Sequence, residues 1–459
     1  MKRRTFLKSI GAIGASGILP SSLPAVYSMS SMYRAANAAI DYAGSQISAP
    51  SVMPQVINIF LYGGPSELSG NLTNIVDIDN NSQNSYAAAF GNRILSFDND
   101  ATGNNGFITP DGFWRGAGGL DMQFLLNGNH MSVYRTLMKR KDGTRSHRES
   151  ILMSQKGSLA IENSAGIGTR IAAMLYQNRS SFESSTLFAD GSSVDMDNII
   201  LPFVSFEGET RQFATDPDYA VPLLLRGTTL NEDLEDPYTR RNDGNASKLD
   251  AMVNKKLADA EYSRRFQNVI NSNDLRKYLA AEIGFIQNAA GVLPNVSDPV
   301  DQAQLGLDNA TTPMSYPNNN RYSDRIRAAV TLAVENPSSM YITVGGGLGG
   351  WDDHNNGIDN YPNRMNQLFA ALKAAALHIK YSGTQTAGVS GTPGSGKNRR
   401  TDNIVINVFG DFGRRVNLNN SEGWDHGNNQ NLFTIGGAGV ASAANGGANR
   451  QLGKVVGRT

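Results

Sequence analysis

The sequence predicts a layered α/β fold with a mostly parallel central sheet. Apolar, β-branched runs alternate along the chain with longer segments of helical periodicity. Several of the runs stop at glycine or proline, as buried strands do when they enter a tight loop. Polar clusters follow three of the runs, after Tyr62, Val344 and Phe409. Ligands of parallel sheets bind beyond the carboxyl ends of the strands, so these clusters mark one edge of the sheet as a candidate site.

The candidate strands are short apolar runs with clear ends. QVINIFLY, residues 55–62, stops at Gly63-Gly64-Pro65, and IVINVF, residues 404–409, stops at Gly410. Pro202 lies within the run at residues 199–206. It predicts an edge strand or a bulge there, because proline has no N–H to donate to a hydrogen-bonded strand ladder. In chain order the predicted strands are 55–62, 131–134, 199–206, 340–344, 404–409 and 431–435.

The candidate helices are segments in which apolar residues recur every three or four positions. They cover residues 146–155, 165–177, 247–290, 325–335 and 365–381. Residues 70–128 are rich in Asn, Asp and Gly and show little periodicity, which predicts a long surface excursion. Residues 291–322 and 383–400 are predicted loops, and His378 lies inside an amphipathic helix, where we expect a structural role.

Composition narrows the class of protein. The 459 residues are 40% hydrophobic and 18% charged, which is typical of a globular chain with a core. The formal net charge of +0 favours neither nucleic acid nor an anionic membrane surface as a partner. The chain has no cysteine, so no disulfide framework exists.

The first residues have the order of features found in a twin-arginine export signal. Arg3-Arg4-Thr5-Phe6-Leu7-Lys8 precedes a mildly apolar stretch from Ile10 to Leu19, and Ala36-Asn37-Ala38 offers small residues for cleavage. The apolar stretch is too short to span a bilayer, and we expect no transmembrane segment in the mature chain. We therefore expect residues 1–38 to be a signal peptide, residues 39–459 to be one domain, and the protein to be periplasmic or secreted.

Asp and His occur together twice, each time beside tryptophan and glycine. Asp352 and His354 follow the strand at 340–344, and Asp425 and His426 come shortly after Asp411, which itself follows the strand at 404–409. Carboxylate oxygen and imidazole nitrogen are the ligands of divalent metals such as Zn, Mn or Ca. Two such pairs and Asp411 suffice for one ion or for two, and each His is alternatively a hydrogen-bonded loop residue.

Two further clusters have alternative explanations. Ser146 with Glu149 three residues later is a capping box, which alone explains both residues. A helix N-terminus also attracts anions, so Ser146 beside Arg145 and His147 is alternatively a nucleophile in a catalytic group. Glu67 is the acid nearest the end of the first strand and is a further candidate metal ligand.

Taken in order, these motifs resemble the DUF1501 family, a group of twin-arginine-exported bacterial proteins related to the alkaline phosphatase and sulfatase superfamily. The matching segments run from the leader to about Gly437, with a loose match in the middle. They are the leader itself, FLYGGPSEL, RSHRESILMSQKG, GGWDDHNN and FGDFGRRVNLNNSEGWDHG.

The resemblance implies an alkaline-phosphatase-like three-layer sandwich, with helices on both faces of the sheet. It implies that Asp352, His354, Asp411 and His426 are metal ligands, with Asp425 a further candidate. Ser146 would then be the nucleophile and Arg145 an anion-binding residue. The resemblance also implies a DUF1800 protein as a partner.

The chain departs from the family pattern at several positions. Ser66-Glu67 stands where the superfamily has a metal-binding Asp, and Asp411 and Asp353 replace a Glu and a Thr of the closer family. Members of the family usually continue beyond the point that corresponds to Thr459, so we expect either a C-terminally truncated chain or a short subgroup.

Two functions follow from these observations. The first is an exported, metal-dependent hydrolase acting on a phosphate or sulfate ester, with an anionic ester as substrate. The alternative is a non-catalytic exported protein that uses the same fold for binding or surface assembly.

Overall fold

The computed structural model describes part of the chain, and the following statements concern that part. The described residues are 49–66, 109–137, 144–162, 164–215, 221, 225–230, 316–317, 321–345, 350–382, 400–428, 430–437 and 452–457. Ten strands occur among these residues, of which eight form one sheet and two form a separate hairpin. The strands are β1 Gln55–Leu61, β2 Met131–Leu137, β3 Phe203–Ser205, β4 Thr228–Thr229, β5 Tyr341–Val344, β6 Ile404–Gly410, β7 Arg414–Leu418, β8 Trp424–His426, β9 Gln430–Gly436 and β10 Val455–Val456.

The large sheet is mostly parallel, as the sequence predicts. Its strand order is β10-β2-β9-β6-β1-β5-β3-β4. Strands β6, β1, β5, β3 and β4 run in one direction, and β9 is antiparallel to both β6 and β2. Ile59 pairs with Val344 and Leu61 with Gly410, so the carboxyl ends of β5, β1 and β6 meet at one edge.

Six α-helices lie within the described residues. They are α1 Gly119–Asn127, α2 His147–Lys156, α3 Ile167–Gln177, α4 Arg179–Ser185, α5 Arg321–Glu335 and α6 Gly357–Ser382. Helix α2 begins after Ser146, whose side chain accepts a hydrogen bond at the N-cap, and ends at Gly157 in the left-handed conformation with φ 54°. The Ser146 cap and the closing glycine agree with the prediction, whereas the Glu149 side chain accepts from Thr144 rather than from the Ser146 N–H of a capping box. Within the described residues, no helix is both long enough and apolar enough to cross a bilayer.

Alternate strand residues pack into two different hydrophobic clusters. Ile342 and Ile406 join the larger one, which includes Ala329 of α5 and Phe369 of α6. Tyr341, one residue before Ile342, joins a smaller cluster with residues of α3. Because neighbouring residues of a strand point to opposite faces, helices cover both faces of this part of the sheet. Each fully buried aliphatic side chain contributes about 1.5–3 kcal/mol to this packing.

Three predictions about elements need correction. Residues 109–128 lie in the predicted surface excursion, yet they include α1, whose Met122, Leu125 and Leu126 are buried. Helix α6 begins at Gly357 rather than at 365, because burial of Ile358 and Tyr361 outweighs the helix-breaking effect of Pro362. The β7–β8 hairpin follows β6 directly and is not predicted, since its Gly- and Asn-rich sequence lacks strand periodicity. The predicted helix at 247–290 lies outside the described residues.

His378 has the structural role expected from its position in the amphipathic helix. It lies in α6, is 8% exposed, and its Nδ1 is 3.1 Å from the hydroxyl of Tyr316. Burial lowers the pKa of His378 from 6.5 to about 4. The imidazole is therefore neutral in the folded protein at neutral pH.

Acid should weaken the fold through His378. The unfolded chain takes up the proton near pH 6.5 and the folded chain only near pH 4, so stability falls as the pH drops through this window. From pH 7 to pH 5 this residue should cost about 2 kcal/mol of unfolding free energy. We expect His378→Phe to lose less stability than the wild type over this interval, by about that amount, as measured by urea unfolding. Tyr316→Phe keeps the buried imidazole and should retain the acid sensitivity; equal acid losses in wild type and His378→Phe would contradict the assignment.

Candidate active site at the carboxyl edge of the sheet

The candidate site is built from loops that follow β1, β5 and β6, together with the β7–β8 hairpin and the start of α2. Trp351 and Trp424 are fully buried and hold two of these segments in the core. The backbone N–H of Trp351 donates to the Tyr62 carbonyl at 2.8 Å, and that of Trp424 donates to the Asp353 carbonyl at 2.7 Å. The tryptophans that flank both Asp-His pairs therefore fix the loop backbones.

Arg414 joins these loops from inside. Its side chain is fully buried, and every N–H group of its guanidinium has an acceptor within reach. The acceptors are the Gly64 carbonyl for Nε (2.7 Å), the Trp424 carbonyl (3.0 Å) and His354 Nε2 (3.3 Å) for Nη1, and the Gly63 carbonyl, Asp352 Oδ1 and the Trp351 carbonyl (3.4 Å) for Nη2. One side chain thus binds the loops after β1 and β5 to the hairpin after β6.

Two glycines permit the close approach of these loops. Gly63 has φ 111°, and a Cβ there would collide with the backbone N of Asp352. A Cβ on Gly423 would collide with the carbonyl group of His354. Both glycines belong to the motifs that flank the predicted site residues, and their role is steric.

Three imidazoles and one carboxylate converge at the centre of the site. Oδ1 of Asp352 lies 3.5 Å from His147 Nε2, 3.2 Å from His354 Nε2 and 3.6 Å from His426 Nε2. His426 Nε2 is 3.0 Å from His147 Nε2 and 2.8 Å from His354 Nε2. The ligand atoms of His147, Asp352 and His426 lie within 4.8 Å of one another, so this triad could hold a metal ion. We call these four residues the histidine cluster.

The other nitrogen of each imidazole faces an oxygen acceptor. His147 Nδ1 is 2.6 Å from Asp411 Oδ2, and His426 Nδ1 is 2.8 Å from the carbonyl of Arg145. His354 Nδ1 is 3.5 Å from Asp425 Oδ1. A neutral imidazole that donates from Nδ1 presents a lone pair at Nε2. These outer contacts therefore direct lone pairs toward the centre of the cluster, which is how proteins orient metal-binding histidines.

The charges around the cluster shift three pKa values in different directions. The hydrogen bond to Asp411 raises the pKa of His147, whereas burial and the nearby cations lower that of His426. Burial alone would raise the pKa of Asp352, but the hydrogen bond and charge of Arg414 outweigh it, and the pKa is lowered. Asp352 is therefore held as the carboxylate, the form that binds a cation.

The predicted metal ligands divide into two groups. Asp352, His354 and His426 lie in the cluster, joined by His147, which the sequence placed among the catalytic residues. Asp411 lies behind His147, with Oδ2 toward its Nδ1 and Oδ1 accepting from the Gly63 N–H at 3.2 Å, so it orients the imidazole of His147. Asp425 is half exposed and faces His354 Nδ1 and the side chain of Asn419. Glu67 lies outside the described residues.

The position of the Arg145–Ser146 segment is compatible with both roles predicted for Ser146, helix N-cap and nucleophile. Ser146 Oγ accepts from the backbone N–H of Glu149 at 3.5 Å, which confirms the cap. The Glu149 carboxylate accepts from the Thr144 hydroxyl at 2.7 Å. Thr144 therefore takes the place that the Ser146 N–H has in a standard capping box. Ser146 and Arg145 are exposed and directly precede His147 of the cluster. The nucleophilic role of Ser146 stays a prediction.

Sequence reasoning missed Arg414 and the pair formed by Asp353 and Arg364. Asp353 is buried, and Arg364 Nη1 donates to it at 2.5 Å. Burial raises the pKa of Asp353, and Arg364 opposes that shift. The sequence signal for Arg414 is its place in the segment GDFGR, residues 410–414, at the end of β6. Its burial depends on carbonyl groups from distant segments, which residue types do not reveal.

Comparison with family models, curated proteins and solved structures gave no match for this chain.

Removal of the Arg414 guanidinium should destabilise the protein. Arg414→Met would leave Asp352 and the carbonyls of several loops without their donor, and losing one partner of a buried polar network costs about 3–5 kcal/mol. Arg415 is adjacent and exposed, so Arg415→Met should change the unfolding free energy by about 0.5 kcal/mol or less. Chemical unfolding of the two variants beside the wild type measures the difference. Equal, small losses would show that Arg414 does not hold the loops together.

Proposed function

We propose that this protein is an exported, metal-dependent hydrolase of phosphate or sulfate esters, built on an alkaline-phosphatase-like sandwich. The observation that carries the proposal is the convergence of imidazole Nε2 atoms on Asp352 Oδ1, with every Nδ1 facing an oxygen acceptor. The position of this cluster beyond the carboxyl ends of parallel strands supports it. The twin-arginine leader and the ordered DUF1501-like motifs support the periplasmic or secreted location and a DUF1800 partner.

The donor set fits a metal ion. In a tetrahedral zinc site with bonds of about 2.0–2.1 Å, neighbouring ligand atoms are about 3.3 Å apart. The edges of the His147, Asp352 and His426 triad are 3.0, 3.5 and 3.6 Å. Two imidazoles and one carboxylate suit Zn or Mn better than Ca, which prefers oxygen ligands.

With its imidazoles neutral, the histidine cluster needs a cation at its centre. When His147 and His426 both donate from Nδ1, their Nε2 lone pairs face each other across 3.0 Å and repel. A metal ion bound between the two nitrogens would relieve that repulsion, and so would a proton on His147 Nε2. The carboxylates of Asp352 and Asp411 add negative charge on two sides, which favours a divalent cation.

The chain's own residues would then perform the reaction. A divalent cation at this position supplies Lewis acidity toward the ester oxygen. The Ser146 hydroxyl, at the N-terminus of α2, would attack phosphorus or sulfur, form the Oγ ester and break the bond to the leaving alcohol. The hydroxyl proton passes to the leaving oxygen, and water later hydrolyses the serine ester. Arg145 and the first N–H groups of α2 would hold the anionic group.

Metal content and turnover test the proposal together. The purified wild type should bind a divalent metal and hydrolyse p-nitrophenyl phosphate or p-nitrophenyl sulfate. His426→Gln removes one of the three metal-ligand atoms. It should abolish metal binding and turnover, because a three-residue site loses most of its metal affinity when one ligand is removed. His130→Gln is the matched control, since His130 stacks on Phe124, outside the histidine cluster. A folded wild type that binds no metal and turns over neither ester would instead support the non-catalytic binding protein.

Two substitutions at Ser146 separate capping from catalysis. Asn is a good N-cap residue but carries no hydroxyl, so Ser146→Asn should keep the stability of α2 to within a few tenths of a kcal/mol. Ser146→Ala should cost about 1 kcal/mol. If Ser146 is the nucleophile, both variants lose turnover by at least about 100-fold and keep their metal. Full activity in Ser146→Asn would assign attack to water and leave Ser146 as a cap.

A further inference from the structure

We propose that the histidine cluster holds one divalent cation on His147, Asp352 and His426, and that the guanidinium of Arg414 takes the place of a second cation beside Asp352 and His354. This inference rests on the proposed metal-dependent function. It goes further by assigning the number of ions and by separating ligands from neighbours among the three histidines.

Two overlapping triangles of donor atoms share the edge between Asp352 Oδ1 and His426 Nε2. His147 Nε2 completes one triangle and His354 Nε2 completes the other. The edges of both triangles lie between 2.8 and 3.6 Å. Distances alone therefore do not decide which triangle binds an ion, or whether both do.

The position of Arg414 distinguishes the two triangles. Nη2 contacts Asp352 Oδ1, and Nη1 donates to His354 Nε2 at 3.3 Å. A guanidinium has only donors, so the His354 lone pair is already directed at a positive group. An ion in the second triangle would have to share that lone pair with Arg414 and lie next to its charge.

Arg414 cannot move aside for a second ion. Its side chain is fully buried, and its other donors bind the carbonyls of Gly63, Gly64 and Trp424. Withdrawal would leave these acceptors and a buried cation unpaired at the same time, which is unfavourable. The positive charge is thus a permanent part of the site.

The first triangle shares Asp352 Oδ1 with the second and differs from it in the contacts of its own histidine, His147. Asp411 Oδ2 is 2.6 Å from His147 Nδ1, and a carboxylate behind a histidine makes its Nε2 a better metal ligand. His426 Nδ1 is held by the Arg145 carbonyl at 2.8 Å. With Asp352, Asp411 and Asp425 at −1 each and Arg414 at +1, one dication leaves the group neutral, whereas two would give +2. The electrostatics therefore favour a single ion on the His147 side.

Metal stoichiometry in three matched variants tests the inference. Wild type, His147→Gln, His426→Gln and His354→Gln are each loaded with excess Zn²⁺ or Mn²⁺, desalted, and assayed for metal per chain, with affinity measured by calorimetry. We expect one ion per chain in the wild type, at least about a 100-fold loss of affinity in His147→Gln and His426→Gln, and one ion with less than about a 10-fold change in His354→Gln. Circular dichroism confirms that each variant is folded.

The other outcomes overturn the inference in distinguishable ways. Two ions per wild-type chain, or a loss in His354→Gln as large as in His426→Gln, would remove the role assigned to Arg414 while leaving a metal-dependent hydrolase intact. No bound metal in the folded wild type would overturn both this inference and the proposed function.

Discussion

The candidate site depends on a buried guanidinium. Arg414 carries a full charge with no exposure to solvent, and it is stabilised by carbonyl oxygens from loops that follow different strands. Such an arrangement is favourable only when the loops all lie in place, because each missing acceptor leaves a buried donor unpaired. The arginine therefore couples the loop after β1, the loop after β5 and the β7–β8 hairpin into one unit. The positions of Asp352, His354 and His426 follow from that unit.

The outer contacts of the histidines convert this frame into a chemically specific centre. Asp411 and the Arg145 carbonyl are not part of the central cluster, but they determine which nitrogen of His147 and His426 carries the proton. A cluster of the same residue types without those acceptors would have no preferred tautomer and no common direction for its lone pairs. The chemistry of the site thus depends on the residues behind the imidazoles as much as on the imidazoles themselves.

Much of the fold could be predicted from local patterns, and the site only in part. The runs at 55–62 and 404–409 are apolar and bounded by glycine, and they form neighbouring parallel strands of the sheet. The sequence did not predict helix α1, because its apolar run is short and is flanked by Gly and Asn. The Asp-His pairs predicted a cluster at the carboxyl edge of the sheet, and Asp352, His354 and His426 do lie together there, but residue types could not show that Asp411 lies behind His147. Nor could they show that Arg414 reaches Asp352 and His354, because those contacts depend on the folded path of distant loops.

X-ray absorption spectroscopy of the Zn²⁺-loaded protein tests the central claim most directly. If the Nε2 atoms and the Asp352 carboxylate surround one cation, the spectrum should show imidazole scattering and nitrogen or oxygen ligands at about 2.0–2.1 Å. The imidazole contribution should correspond to two histidines and should be unchanged in His354→Gln, the variant expected to keep its metal. A first shell of water oxygens alone, with no imidazole scattering in the wild type, would contradict the account and leave the cluster as a hydrogen-bonded polar centre.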